Sequence, residues 1–340
     1  MERRLSSYTG CLLGLAAGDG LGRPLVNGFL ATTAYTQLAA YGCNGLLLGL
    51  TRGQLSGTMA PPVRYAAQAL GEWAGLQLWR EETPVRCWIS RSHRLDYRRC
   101  PEPELLDVLR AGKLGTMEDH DRSHSGPGAL MAAVAVGLFF DPERLPRREI
   151  QRLGAETAAL THGDPAAFLS GAAVAHMVSR MVWDGDTDVR KLSSQAGHML
   201  HRRFGREYPQ VSQVIGLLRQ ARTLAKDREL PRMDALAQLG WDTAAGVLAG
   251  AVYCLLTCGE DPEDTLRTAA RCSGGLAAVT GAMLGAMHGE EAIPERWREQ
   301  LECESVLREL AEDMYRGCPM MKGSQVFDIE WDEKYNTAQL

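Results

Sequence analysis

The first side chain that could do chemistry is the carboxylate of Asp19, which stands in a Gly-Asp-Gly-Leu-Gly run at residues 18–22. It could bind a ribose hydroxyl, or it could tie the backbone of its own turn, as Asp beside Gly commonly does. The run lacks the preceding strand and the GxGxxG spacing of a dinucleotide-binding loop, so it is weak evidence for phosphate binding. We interpret it as a loop that ends the first helix, and we favour the structural role for Asp19.

Two further segments carry hydroxyl or thiol groups at predicted helix starts: Thr33, Tyr35 and Thr36 in the first, and Cys272, Ser273 and Gly274 in the second. Thr33 has the side chain of an N-cap residue. Tyr35 could stack on a base or fill a cavity, and we favour the filling role. Cys272 could act as a nucleophile, because a thiol is activated when an imidazole such as that of His124 or His162 lies beside it.

A Ser-Gly-Pro-Gly run at residues 125–128 opens a long apolar segment, which predicts a buried helix. Glycines at a helix start let a phosphate approach the exposed N–H groups, so Ser125, Gly126 and Gly128 are candidate anion ligands. The alternative is a tight loop before the helix. His162 precedes another helix start, where it could contact a ligand or make a hydrogen bond between helices.

Helical periodicity runs through almost the whole chain without a convincing series of alternating strands, so the sequence predicts an all-α fold. The predicted helices cover residues 7–17, 33–46, 63–79, 103–112, 128–140, 148–161, 165–182, 243–258, 262–270, 276–287 and 293–315, with two amphipathic helices between residues 184 and 233. Asp164 followed by Pro165 is typical of a helix start. Small residues in the first helix and in residues 276–287 predict close contact between helix backbones.

The chain shows no low-complexity linker and no repeat of fixed period. We therefore interpret residues 1–316 as a single all-helical domain and residues 317–340 as a polar tail that is extended or mobile. Residues 80–100 are irregular and basic. They predict a solvated loop or, alternatively, a lid or a contact for an acidic partner.

The composition is that of an ordinary globular protein: 340 residues, 45% hydrophobic and 23% charged. A net charge of −5 and scattered basic residues argue against a general nucleic-acid binder. The nine cysteines form no CxxC pair, which predicts free thiols in a reducing compartment rather than a zinc site. Neither a signal peptide nor a membrane span is recognisable, so we expect a cytoplasmic protein with no membrane partner.

Six short segments occur in the order found in one known family, at residues 10–24, 36–47, 126–138, 159–165, 279–286 and 292–297. They include Gly-Asp-Gly-Leu-Gly-Arg-Pro in the first, Ala-Leu-Thr-His in the fourth and Ala-Ile-Pro-Glu-Arg-Trp in the last. Together they resemble the ADP-ribosylglycohydrolase family over about residues 8–310. The resemblance implies a compact, orthogonal multi-helix bundle that uses magnesium ions in a pair to remove ADP-ribose from modified proteins or other acceptors.

This sequence differs from the family pattern at positions where, by the resemblance, the family carries its catalytic and metal-binding residues. The family's Thr-Asp-Asp-Thr at the second helix is replaced by Thr-Ala-Tyr-Thr at residues 33–36, and its Asp-x-Asp-Ser/Thr by Cys-Ser-Gly-Gly at residues 272–275. Val26 stands where a glutamate usually follows the opening signature, and Ser-His-Ser at residues 123–125 replaces an Asn-Ser stretch. Both sets of metal-binding carboxylates are missing, and Tyr35 would project into the space.

This loss matters because magnesium takes oxygen ligands in near-octahedral geometry and usually needs one or two carboxylates. In catalysis it polarises substrate oxygens and positions water. The hydroxyls of Thr33 and Thr36 are neutral, and a thiol at Cys272 is too soft a ligand. We therefore expect no metal cofactor and no metal-dependent hydrolysis.

Three functions remain open. The favoured one is a pseudoenzyme that binds an ADP-ribose-like or nucleotide ligand, or a protein partner. The second is an active hydrolase of N- or O-glycosidic ADP-ribosyl linkages by a metal-independent mechanism, with Asp19 and Asp164 as the facing carboxylates that such a mechanism needs. The third is a scaffold protein whose cleft is plugged by side chains.

Overall fold

The computed structural model describes residues 2–58, 60–78, 84–92, 94–95, 97–99, 101–118 and 124–336. In this part of the chain there are α-helices, short 3-10 helices and isolated bridges but no strand, which confirms the predicted all-α class. The α-helices are α1 (Glu2–Leu21), α2 (Ala34–Ser56), α3 (Pro62–Gln77), α4 (Pro103–Ala111), α5 (Gly128–Phe139), α6 (Arg147–Ala159), α7 (Pro165–Asp184), α8 (Val189–Phe204), α9 (Val211–Leu224), α10 (Arg232–Leu239), α11 (Ala244–Cys258), α12 (Pro262–Ala270), α13 (Gly274–His288), α14 (Glu295–Gln300), α15 (Glu304–Arg316) and α16 (Ile329–Tyr335), and the 3-10 helices are Trp88–Arg91 and Glu290–Ala292.

Helices α1 and α13 pack backbone to backbone because glycines remove side chains from both surfaces. A Cβ atom at Gly14 would lie 2.2 Å from the Gly281 carbonyl oxygen, and one at Gly285 would lie 1.9 Å from the Gly10 carbonyl oxygen. No side chain fits at such separations. The close contact predicted from the small residues is confirmed, and it holds the N-terminus of α13 beside the C-terminal end of α1.

Helix α5 occupies the centre of the fold. It is buried at every position from Gly128 to Leu138, and it packs against α2, α6 and α7. A helix that is apolar on all faces is stable only inside a protein, which is why the sequence predicts its burial. Its N-terminus is therefore a fixed point, and the candidate site is built around it.

The sequence predicts that helix α1 ends before Gly18, but the helix continues to Leu21. Gly18 lies against the backbone of α13, where a Cβ atom would be 2.0 Å from the Ala277 carbonyl oxygen. The side chain of Asp19 is bonded to the next helix. These tertiary contacts outweigh the weak helix propensity of glycine, about 1 kcal/mol per residue. The predicted glycine-rich loop is therefore the last turn of α1.

The segment after residue 316 also differs from the extended or mobile tail that was predicted. Asp328 accepts a hydrogen bond from the Trp331 backbone N–H (3.0 Å) and so starts α16. Trp331 and Tyr335, one helical turn apart, are only 2% and 0% exposed. Trp331 Nε1 donates to Thr51 Oγ1 of α2 at 2.8 Å. The buried rings of Trp331 and Tyr335 thus hold this mostly polar segment against the rest of the fold. The domain boundary at residue 316 stays a prediction.

We expect Tyr335→Phe to lower the free energy of unfolding by about 1 to 3 kcal/mol, because buried partners lose a hydrogen bond. The Tyr335 hydroxyl donates to Asp313 Oδ2 (2.7 Å) and accepts from Trp88 Nε1 (2.9 Å). Urea unfolding measures the change. The exposed Tyr97 supplies the control, since Tyr97→Phe should stay within about 0.5 kcal/mol of the parent. Equal effects of the two substitutions would show that the hydroxyl of Tyr335 does not anchor α16.

Some sequence predictions fall on residues outside the described part of the chain: Trp79 at the end of the third predicted helix, residues 80–83, 93, 96 and 100 of the basic segment, and Ser123. The eight cysteines within the described part form no disulfide, as predicted. No helix among the described residues combines the length and the apolar character that crossing a membrane requires.

Candidate functional site

The N-terminus of α2 is held by a carboxylate that comes from α1. Asp19 accepts hydrogen bonds from the backbone N–H groups of Thr33 (2.7 Å) and Thr36 (3.2 Å), and from both threonine hydroxyls at 2.7 Å. Burial raises the pKa of the fully buried Asp19, and these hydrogen bonds from Thr36 and Thr33 oppose that shift. The role of Asp19 is structural, but it caps the next helix rather than its own turn. Thr33 is the N-cap, as predicted, and its hydroxyl also accepts from the Tyr35 backbone N–H.

Glu102 is the residue at which the other elements of the site meet. Its Oε1 accepts hydrogen bonds from the Tyr35 hydroxyl and from the Gly128 backbone N–H, both at 3.0 Å, and its Oε2 lies 3.0 Å from His162 Nε2. Burial acts to raise the pKa of Glu102, but the bonds from His162, Gly128 and Tyr35 outweigh it and lower that pKa. Because an ionised carboxylate only accepts hydrogen bonds, Nε2 of His162 carries a proton.

The anion at the N-terminus of α5 is therefore a side chain of the protein itself. A Cβ atom at Gly126 would lie 2.2 Å from Glu102 Oε2, and one at Gly128 would lie 3.0 Å from His162 Cε1. The glycines thus make room for the carboxylate and the imidazole. The sequence predicted a phosphate ligand at this helix start, whereas the structure places the Glu102 carboxylate there, and contact of Gly126 and Gly128 with a ligand stays a prediction.

His162 links the end of α6 to Glu102. It is fully buried, and its Nδ1 lies 2.8 Å from Thr161 Oγ1. Hydrogen bonds at Nε2 and at Nδ1 thus fix the ring on both sides. This is the hydrogen-bonded interhelical role that the sequence left open for His162.

Tyr35 fills the space between α2 and the start of α13. A Cβ atom at Gly275 would lie 3.3 Å from Tyr35 Cε2, so the ring packs directly on that glycine. Burial, followed by the charge of Glu102, raises the pKa of Tyr35 above its ordinary value. The phenol therefore stays protonated and donates to Glu102. These contacts are those of a side chain that fills a cavity, which is the role we favour for Tyr35.

An open cleft of about 290 Å³ lies beside this network. It is lined by Tyr35, Glu102, His124, Ser125, Gly126, Pro127, Trp241, Asp242 and Ser273. Aromatic rings and hydroxyl groups on opposite sides of a small cleft can stack on a planar group and hydrogen-bond its polar atoms. Of the predicted site residues, the structure brings Tyr35, Ser125, Gly126 and Ser273 together here.

The remaining predicted residues support the cleft from outside. Gly274 packs against the end of α1, since a Cβ atom at Gly22 would lie 2.8 Å from its Cα. Asp164 caps α7 by accepting from the Ala167 backbone N–H at 3.0 Å. Neither Asp164 nor the buried Asp19 is among the residues that line the cleft, so this pair does not face a substrate as a metal-free glycosidase would require.

The geometry does not favour the suggested activation of Cys272 by His162, and activation by His124 stays a prediction. The Cys272 thiol contacts the Thr268 carbonyl oxygen at 3.9 Å, and burial raises its pKa to about 11. A thiol with a raised pKa holds little thiolate at neutral pH and is a poor nucleophile. The hydrogen-bonding partners of His162 are Thr161 and Glu102, which leaves its imidazole no role beside Cys272.

Sequence reasoning missed Glu102, Trp241 and Asp242. Glu102 lies between two prolines, where no periodic pattern marks its orientation. A weak signal for Trp241 and Asp242 existed: they directly precede Thr243, which caps α11 by accepting from the Gly246 backbone N–H at 3.2 Å. Within the described residues, no group of three or more His, Cys, Asp or Glu side chains is arranged to hold a metal ion.

Comparison with known proteins gives a consistent result. A model of the ADP-ribosylglycohydrolase family matches residues 1–323. The chain is 23% identical over 243 residues to ADP-ribosylhydrolase ARH3 of Bos taurus, a match that covers 65% of this chain and 64% of that protein's length. It is also similar to a solved chain of an "ADP-ribosylglycohydrolase-related protein complex", with a TM-score of 0.61 and 22% identity over 93% of this chain and 99% of that one. The structural match establishes the fold.

Proposed function

This chain belongs to the ADP-ribosylglycohydrolase family, and we propose that it is a member that binds a nucleoside-like part of an ADP-ribosyl ligand without magnesium-dependent hydrolysis. The observation that carries this proposal is that the carboxylates of Asp19 and Glu102 are both hydrogen-bonded to groups of the protein itself. Asp19 accepts four hydrogen bonds from Thr33 and Thr36. Glu102 is bonded to Tyr35, Gly128 and His162.

The residues present do not fit a pair of magnesium ions. Magnesium needs carboxylate oxygens with free lone pairs directed at the ion. The oxygens of Asp19 and Glu102 are directed at protein donors, and the start of α13 offers the Ser273 hydroxyl, which already accepts from the Leu276 backbone N–H at 3.1 Å. Metal binding at Oδ2 of Asp19 would displace the Thr33 and Thr36 N–H groups, which would then be buried without an acceptor.

The cleft supports the ligand part of the proposal. Its volume of about 290 Å³ is at the lower end of ligand pockets, which suits a nucleoside-sized group rather than a whole dinucleotide. Tyr35 and Trp241 offer aromatic surfaces, while Ser125 and Ser273 offer hydroxyls. The loop that precedes α5 and lines the cleft is fixed to α11, because the Ser125 carbonyl accepts a hydrogen bond from the Ala244 backbone N–H at 2.7 Å.

Calorimetry with magnesium and with ADP-ribose, titrated separately, tests the proposal. We expect no saturable heat with magnesium, and saturable binding of ADP-ribose that Trp241→Ala removes. Phe327→Ala is the matched control, because Phe327 is an aromatic residue that is 66% exposed and does not line the cleft. Tight binding of two magnesium ions, or magnesium-dependent release of ADP-ribose from modified arginine or serine peptides, would refute the proposal. ADP-ribose that fails to bind would favour the plugged scaffold instead.

A second candidate function is metal-independent hydrolysis of an ADP-ribosyl linkage. It is favoured by one observation, that Glu102 and Asp242 both line the cleft, since such hydrolysis uses two carboxylates around the bond. The lowered pKa and the hydrogen bonds of Glu102 make it a weak proton acceptor. Release of ADP-ribose in the presence of EDTA that Glu102→Gln abolishes would establish this function, and no release under any condition would exclude it.

A further inference from the structure

A second open groove, of about 540 Å³, lies where α8 packs against α9, and the proposed function does not use it. Imidazoles of His198 and His201 line it from α8, and guanidinium groups of Arg219 and Arg222 line it from α9. Both pairs are three residues apart, which places each pair on one face of its helix. The hydroxyl-bearing Ser194 lines the same groove. The polar wall thus consists of donors and basic groups.

No carboxylate lines this groove, which is unusual for a protein with a net charge of −5. Four other cavities in the described part of the chain, of about 290 to 710 Å³, each include Asp or Glu in their lining. Neither Arg219 nor Arg222 has a carboxylate oxygen within 4.0 Å among the described residues. Neither guanidinium group is therefore paired with a carboxylate in the described part of the chain.

Arg222 is held in place rather than free in solvent. Its Nη1 donates to Ser193 Oγ at 3.2 Å, and its carbonyl oxygen accepts from Arg190 Nη1 at 3.0 Å. Burial, and then the nearby charges of Arg219 and Arg190, lowers the pKa of Arg222. The two guanidinium groups that line the groove, with that of Arg190 nearby, therefore repel one another, and an anion would relieve this repulsion.

The groove is open because glycines stand where side chains would otherwise fill it. A Cβ atom at Gly216 would meet no atom within 4 Å, and one at Gly197 would lie 3.7 Å from the nearest atom of Ile215. Beneath these positions lie the buried side chains of Val211 and Leu218. The groove therefore combines an apolar floor with a cationic wall.

We propose that the α8–α9 groove binds a small phosphate-bearing molecule, with its phosphate oxygens on Arg219 and Arg222 and its apolar part on the floor. Guanidinium groups match phosphate oxygens because their planar donors can bond two oxygens at once. The groove extends from Val211 to Arg222, about 16 Å at the rise of a helix. That length suits a small molecule, whereas a stable protein interface needs about 800 Å² from each partner.

Nuclear magnetic resonance of the full chain, titrated with pyrophosphate and with ADP, tests this site and separates it from the cleft. We expect both probes to shift backbone amide signals of residues 194–222, with ADP binding more tightly because its nucleoside part covers the floor. Adenosine alone should not bind the groove. Arg219→Gln and Arg222→Gln should each weaken pyrophosphate binding by about tenfold or more, the effect of losing a charged hydrogen bond. Added salt should weaken it too.

Two variants make the result specific. Arg202→Gln combined with Arg203→Gln removes two positive charges, one more than either single variant, from exposed positions of α8 that do not line the groove, and it should leave binding within twofold. Gly216→Leu keeps every cation but fills the open space, and it should abolish binding. Shifts confined to residues 124–128 and 241–242, equal losses in the control double variant, or no shifts at all would each overturn the proposal. So would binding of an acidic peptide in preference to either phosphate probe.

Discussion

Asp19→Ala is expected to lower the free energy of unfolding by about 3 to 5 kcal/mol, because each buried donor left without an acceptor costs about 1 to 3 kcal/mol. The substitution strands the backbone N–H groups of Thr33 and Thr36 at the start of α2. Water cannot replace the carboxylate easily, since Asp19 is 0% exposed. Equilibrium unfolding in urea measures the effect.

Thr36→Val is the matched control for this prediction. It removes only one hydroxyl donor and leaves both backbone bonds to Asp19 in place, so its cost should be about 1 kcal/mol. If Asp19→Ala were no more damaging than Thr36→Val, the carboxylate would not be the cap that holds α2. The remaining contacts of α2 with α5 and α3 would then have to carry its stability.

The pH dependence of stability checks the state of Asp19 independently. Its pKa in the folded protein is raised by burial. The folded state therefore binds this proton more tightly than the unfolded state, whose pKa is about 3.9. The stability that Asp19 contributes relative to Asp19→Asn should be complete below that value and should decrease as the pH rises through the folded pKa. A difference that instead grows with pH would contradict the raised pKa.

Local signals account for what the sequence predicts well. The start of α2 at Thr33, of α7 at Asp164 and of α11 at Thr243 each depends on a side chain that bonds to an N–H group within three residues. Such contacts are encoded by neighbouring residues and need no knowledge of the fold. The burial of α5 follows in the same way from its apolar run.

The chemistry of the site depends on contacts between distant residues, and these escape local reasoning. Glu102 bonds to Tyr35, which is 67 positions away, and to His162, which is 60 positions away. Asp19 reaches its partners only because α1 continues through glycines that the sequence marks as a helix end. The missed role of Glu102 and the wrong end of α1 have one physical cause. Tertiary contacts override local propensity where backbones pack directly.

The C-terminal helix shows an error that a closer inspection of the sequence could have avoided. Asp328 is followed by Trp331 and Tyr335, a cap and two aromatic residues one turn apart. That spacing is typical of a short helix docked by one face. The polar composition of the segment nevertheless favoured a tail over a helix. A seven-residue helix has too few apolar positions to show a helical period.

Glu102→Ala is expected to lower the free energy of unfolding by about 2 to 4 kcal/mol at neutral pH, since each hydrogen bond to a charged group contributes about 1.5 to 3 kcal/mol. Because the pKa of Glu102 is lowered in the folded state, its contribution should be present above the unfolded value of about 4.3 and lost as the pH falls through the folded pKa. Chemical unfolding of the parent and the variant at several pH values measures this. A difference that persists unchanged in acid would show that the charge of Glu102 is not involved.

The same variant should gain an anion site that the parent protein lacks. Without the carboxylate, the Gly128 N–H, the His162 Nε2 proton and the Tyr35 hydroxyl converge on a vacant position at the start of α5, next to the open cleft. Inorganic phosphate that binds there stabilises only the folded state, so the melting temperature of Glu102→Ala should rise more steeply with phosphate concentration than that of the parent, whose own response comes from the α8–α9 groove. Adding Tyr35→Phe removes one donor and should weaken that rise. If phosphate raised the melting temperature of the parent as much as that of Glu102→Ala, Glu102 would not occupy the anion position. A carboxylate that is already hydrogen-bonded to these donors should keep a competing anion out.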